Sequence, residues 1–143
     1  MRNEGELEAV FAAIQEKWGK IDFVLHSIAF APKEDLHARV VDSSQEGFLL
    51  AMDVSCHSFV RMAKLAEPLM TDGGCLQTVT FYGGEKVVEH YNLMGPVKAA
   101  LVPNSNTFSS VPAASPRNMA LASLGANPAF ARQRTPASNS ATR

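Results

Sequence analysis

Tyr91 and Lys98, seven positions apart in HYNLMGPVKAAL, pair a phenol with an ammonium. On a helix that spacing is almost two turns, which puts both side chains on one face, about 10 Å apart along the axis. A phenol so placed can donate a proton or hold an oxyanion, and a nearby cation that lowers its pKa makes it better at both. The ammonium can supply that field and also donate hydrogen bonds to a cofactor. The same pair arises on an ordinary amphipathic helix as one anchored aromatic and one solvated charge, so the surrounding elements must decide between the two readings.

Those elements alternate. Leu7, Val10, Phe11, Ile14 and Trp18 recur at helical spacing until Gly19 stops them. IDFVLHSI then reads as a strand covered on both faces, as in a parallel sheet. A polar loop broken by Pro32 follows, and Ser43 with Glu46 forms an S-x-x-E capping box that predicts the start of a long helix. Its apolar set, including Phe48, Met52, Phe59, Met62 and Leu69, runs to about Met70, with Pro68 loosening the last turn. Gly73 and Gly74 lead into CLQTVTF, a second buried strand, and Gly83 and Gly84 lead into a helix over VVEHYNLMGPVKAAL. Helix, strand, long helix, strand, helix is the order of a doubly wound α/β sheet with parallel strands. The Tyr/Lys helix would then begin at the carboxyl end of a strand, where such sheets place their ligands.

After Leu101 the pattern changes. Residues 102–143 hold five of the eight prolines, and Pro103 is expected to interrupt the helix. This segment is expected to be disordered, with NMALASLGA as its one short helical stretch. The formal charge of −1 averages two unlike parts: residues 1–101 carry 9 basic and 14 acidic side chains, the rest four Arg and no acid. Such a break is expected of a frameshifted or foreign end. Cys56 and Cys75 have no metal-ligand spacing and read as reduced thiols, and no run approaches the roughly 18 apolar residues of a membrane span. Neither a signal sequence nor a basic, aromatic-interleaved platform is present, so a cytoplasmic protein that binds neither membrane nor nucleic acid is expected.

HSIAFAPKEDL, SFVRMAKLAEPLM and GGCLQTVTFYGGEKVVEHYNLMGPVKAAL, in that order, resemble the NADH-dependent enoyl-acyl carrier protein reductases of bacterial type II fatty acid synthesis. These are a branch of the short-chain dehydrogenase/reductase superfamily with a Tyr-x6-Lys pair. The resemblance covers residues 6–101. It implies a Rossmann-like parallel sheet and reduction of a trans-2-enoyl thioester on acyl carrier protein by NADH. It further implies that Tyr91 hydrogen-bonds the developing enolate oxygen and that Lys98 holds the nicotinamide ribose. Ser27, Ile28 and Ala29 would pass beside the cofactor, with Ala31 and Met94 bordering the substrate; packing alone would also account for these apolar positions.

Two departures from the family pattern matter. Phe81 stands where the family has a second active-site Tyr, and Tyr82, one step along a strand, would face the other way. The Gly-rich unit that cradles the cofactor pyrophosphate on backbone N–H groups is missing from the 143 residues, as are the C-terminal strands. The expected fold is therefore a partial doubly wound sheet over 1–101, its two strands lacking partners on both outer edges. The implied function is that of an enoyl reductase, inactive as this isolated piece. The alternative is a noncatalytic interaction fragment that forms a homo-oligomer or associates with intact subunits through the helix over 43–70 and the Tyr/Lys helix.

Overall fold

Only Phe11 of the first helix is buried, and through it α1 (Glu6–Trp18) packs on the rest of the protein. The computed structural model describes residues 3–107 and 122–123. α1 ends as expected at Gly19, whose backbone turns to a φ of 73° while its N–H caps the Gln15 carbonyl. Val10 and Trp18 remain exposed, on one wall of an apolar groove of about 570 Å³ that α1 shares with Ile21, Phe23, Val24 and Met62.

β1 (Phe23–His26) pairs in parallel with β2 (Cys75–Thr78), in the register Phe23 to Cys75 through His26 to Thr78. Parallel pairing places the carboxyl ends of both strands together, and Val79 N–H extends the ladder to the His26 carbonyl at 3.0 Å. β1 departs from the sequence expectation: only one face is covered, and Phe23 and Leu25 are 64% and 46% exposed. A continuous apolar run does not distinguish two-sided burial from one-sided burial in which one face is left open. The expectation that β2 lacks an outer neighbour is also corrected. β3 (Ala122–Ser123) pairs with β2 in parallel, giving the order β1-β2-β3. These two residues lie within NMALASLGA and are strand rather than helix, because a row of unpaired N–H and C=O groups accepts any extended segment that reaches it. The rest of the C-terminal segment lies outside the described residues.

The connection after β1 is more ordered than a polar loop: α2 (Lys33–His37) starts after Pro32 and is followed by a 3-10 turn at Val40–Asp42. A single helical rod then covers 45–69, as the apolar spacing predicts, in four pieces. These are α3 (Gln45–Met52), a π turn (Asp53–His57), α4 (Ser58–Ala66) and a closing 3-10 turn (Glu67–Leu69) that contains Pro68.

Its cap is Ser44, not Ser43. The Ser44 hydroxyl accepts the Gly47 N–H at 2.9 Å and donates to Asp35 Oδ2 at 3.0 Å, while the Ser43 hydroxyl turns back to the Val40 carbonyl. The buried Asp35 carboxylate decides the register, since it also accepts the Ser44 N–H. A side chain at Gly47 would overlap that carboxylate, which accounts for a glycine in the first turn of a helix.

α5 (Met94–Thr107) begins later and ends later than the sequence predicts. Residues 85–93 form turns and irregular chain rather than helix, and the helix passes through Pro103. Proline there withholds one N–H from the ladder, a local loss. Val97 and Leu101, both fully buried, anchor the preceding turns in the core with Phe59, Leu76 and Leu93. No helix among the described residues is long and apolar enough to cross a membrane.

Candidate active site

Tyr91 is not on the helix that carries Lys98. It precedes α5 by three residues, in a turn where His90 and Asn92 on either side adopt left-handed backbone at φ 63° and 36°. Such conformations are uncommon outside glycine, and Asn tolerates them better than most residues. Backbone bonds from Tyr91 N–H to the Val88 carbonyl and from Met94 N–H to the Tyr91 carbonyl wind this turn into α5. The turn brings the half-buried Tyr91 ring against Gly83, where any side chain would overlap the ring at Cδ1. We therefore expect Gly83→Ala to displace Tyr91 and to cost about 1–3 kcal/mol by overpacking. Urea denaturation together with the tyrosine near-ultraviolet circular dichroism would show both effects.

Lys98 is 5% exposed, and its Nζ donates to the Val79 carbonyl at 2.8 Å, at the carboxyl end of β2. Burial holds its pKa below the usual lysine value. Burial also raises the Tyr91 phenol pKa. The sequence expectation that Lys98 lowers it is therefore corrected, and the reason is geometric: the ammonium is turned to a backbone carbonyl, and desolvation alone acts on the phenol. Phe81 is half-exposed and stacks on Tyr91, with ring centroids 4.6 Å apart and planes tilted by 52°. Neither Phe81 nor Tyr82 lies on a strand, since β2 ends at Thr78 and a 3-10 turn starts at Tyr82. The alternation argument against Tyr82 thus does not hold, although its side chain is 59% exposed.

Ser27, Ile28 and Ala29 follow directly on β1 and lie at the same end of the sheet as Val79 and Lys98. Ser27 and Ala29 are exposed and Ile28 is half-buried. Ala31 is half-buried against the core, and Met94 is buried within it beside Val97 and Leu101. A cleft of about 370 Å³ opens beside Tyr91, lined among others by Val40, Gly84, Val87, Gly95 and Ala99. Met94 and Ala31 are not part of that lining.

Sequence reasoning missed a buried polar chain beneath this surface. His26 is fully buried, with Nδ1 3.0 Å from Thr78 Oγ1 and Nε2 2.7 Å from Ser58 Oγ. The Ser58 hydroxyl donates to the Val54 carbonyl and so accepts from Nε2, while the Thr78 hydroxyl lies between Nδ1 and the His26 carbonyl, to which it donates at 3.3 Å. Burial, with the Lys98 charge second, depresses the His26 pKa to about 4. Ser55, in the π turn, both donates to the Phe30 carbonyl and accepts the Phe30 N–H, fixing the segment after Ala29. A histidine inside an apolar strand and two serines three apart on a buried helix face were the available signals.

The residues at this end of the sheet suit a polar ligand. Thr80 Oγ1 is buried there with no hydrogen-bond partner, and such a group calls for one. Among the described residues no cluster of His, Cys, Asp and Glu could hold a metal ion.

Comparison with known proteins gives a consistent picture. A family model described as enoyl-(acyl carrier protein) reductase matches residues 1–110. An NADH-dependent enoyl-acyl-carrier-protein reductase of Rhizobium meliloti is 53% identical over 95 residues, which are 66% of this chain and 35% of that protein. The crystal structure of the Anaplasma phagocytophilum enoyl reductase in complex with NAD superposes with a TM-score of 0.73 at 45% identity, covering 75% of this chain and 41% of that one. The Aquifex aeolicus NADH-dependent enzyme gives a TM-score of 0.70 at 41% identity, covering 72% and 41%. The chain therefore spans about a third to two fifths of the length of the relatives it matches.

Proposed function

Because this chain belongs to the enoyl-(acyl carrier protein) reductase family, we propose that it carries the reacting end of a site that reduces trans-2-enoyl thioesters, in fatty acid synthesis, with NADH. The observation that supports this reading is Lys98 Nζ on the Val79 carbonyl, at the end of the parallel pair where Ser27–Ala29 leaves β1. The dinucleotide, when bound, supplies the hydride. Tyr91, protonated at neutral pH as any phenol is, donates its phenolic hydrogen bond to the thioester oxygen as negative charge grows on it. Lys98, which now donates to the Val79 carbonyl, would hold the ribose hydroxyls of the bound dinucleotide, and the Thr80 hydroxyl would offer a further polar contact. Ser27, Ile28 and Ala29 line the cofactor's path, with Ala31 and Met94 on the substrate side.

Nothing in the 143 residues has the G-x-G-x-x-G pattern that grips a pyrophosphate, so the chain on its own is expected to be inactive. A full-length chimera, with residues 6–101 replacing the matching segment of the Rhizobium meliloti relative, tests the roles directly. In it Tyr91→Phe should lower turnover by about 10²–10⁴-fold, the usual worth of a positioned proton donor. Lys98→Met should raise the KM for NADH. Turnover unaffected by Tyr91→Phe would refute the assignment. Phe81→Tyr in the same chimera should raise turnover, because it restores a second phenol beside Tyr91.

A second reading, a noncatalytic piece that associates with intact reductase subunits, is favoured by the apolar groove beside α1 and the open face of Phe23 and Leu25. Surface of that kind is a common mark of protein contact. Co-purification with an intact subunit, without NADH binding by the chain, would favour this reading over the first.

A further inference from the structure

We infer that Asn92 is the positioning residue of the site, setting the Tyr91 phenol against the segment that follows β1. This rests on Tyr91 being the proton donor proposed above. Asn92 does two things at once. Its backbone adopts the left-handed conformation at φ 36° that lets the chain reverse into α5, and its side-chain Nδ2 donates to the Leu36 carbonyl at 3.0 Å. Leu36 lies in the last turn of α2, where carbonyls have no partner within the helix. The bond therefore caps α2 and ties it, 56 positions away in sequence, to the residue next to Tyr91. α2 follows Ala31 with only Pro32 between them, so the tether holds the proposed substrate side of the site to the turn that carries its phenol. Gly83 lies against the Tyr91 ring, and Phe81 packs on it at a tilt. The ring is thus held by packing on Gly83 and Phe81, and the turn that carries it is tied to α2 by the Asn92 side chain.

The chain contains two tyrosines, so in a Tyr82→Phe background the phenolate absorbance on alkaline titration reports Tyr91 alone. Asn92→Gly keeps the left-handed backbone and deletes the amide; Asn92→Asp keeps the shape and replaces the donor with a carboxylate that repels the Leu36 carbonyl. With far-ultraviolet circular dichroism unchanged, Asn92→Gly should move the Tyr91 titration midpoint down toward that of free tyrosine, as the released ring hydrates. Both variants should lose the tyrosine near-ultraviolet band. An unchanged midpoint and band in a folded Asn92→Gly protein would overturn the inference. So would loss of the whole fold in both variants, which would make Asn92 a residue of general stability. The titration involves no turnover, so a failed chimera experiment and a failed titration are separate results.

Discussion

Phe59→Ala is expected to destabilise the protein by about 3–5 kcal/mol, the range for truncating a buried phenylalanine. Phe59 has no exposed surface and sits on α4 at the centre of the core, in the same cluster as Leu76 of β2 and Val97 of α5. Its ring also lies 5.4 Å from the imidazole of His26. Truncation would open a cavity and leave that imidazole without its apolar wall. Domains of this size are typically stable by only about 5–15 kcal/mol, so the change should remove a large share of the total. The shift of the urea midpoint measures it. A loss below about 1 kcal/mol, less than any usual truncation of this kind, would mean that α4 is not seated on the sheet.

Acidification should have an effect of similar size and a defined window. His26 is neutral in the fold, with its pKa depressed from 6.5 to about 4 by burial and, secondarily, by Lys98. Between those values the unfolded chain binds a proton that the folded chain refuses, so stability falls as pH drops from 6.5 and levels off below about 4. At about 1.4 kcal/mol per pKa unit the full loss is about 3 kcal/mol. Asp53 does not confuse the measurement: Arg61, hydrogen-bonded to it, holds its carboxyl below 3.8, so its contribution is lost only at lower pH. Urea unfolding of the parent and of His26→Gln at pH 7, 6, 5 and 4 tests the assignment. The parent should lose stability across this range and the variant should lose little. Parallel slopes in the two proteins would place the sensitivity elsewhere.

The periodic parts of this fold were legible in the sequence. The stripe through Phe11 and Ile14 and its stop at Gly19, the rod over 45–69 and the two paired strands follow from hydrophobic spacing and turn chemistry. The features that were not legible depend on partners distant in sequence. Ser43 and Ser44 are equally good caps until Asp35 arrives to select one. Two-sided cover for Phe23 and Leu25 cannot be judged from the strand itself. Tyr91 was placed on the helix because its spacing to Lys98 fits one. The close approach to Gly83 and the tether from Asn92 to Leu36 place it instead in a left-handed turn. Tyr91, Lys98 and Phe81 were singled out by family pattern, whereas the His26, Ser58 and Thr78 chain was not, because buried polar residues have no period.

The π turn at Asp53–His57 makes the rod above the sheet unequally tolerant of insertions and deletions. A turn closed at the wider spacing accommodates one residue more than an α turn. Losing a residue there lets the helix tighten to ordinary geometry, with Gly47 still against Asp35 and Phe59 still in the core cluster with Leu76. The same loss inside α4 has no slack to draw on and would rotate everything beyond it by about 100°. Length variation among proteins sharing this rod should therefore collect between Met52 and Ser58, beside the serine that holds Phe30.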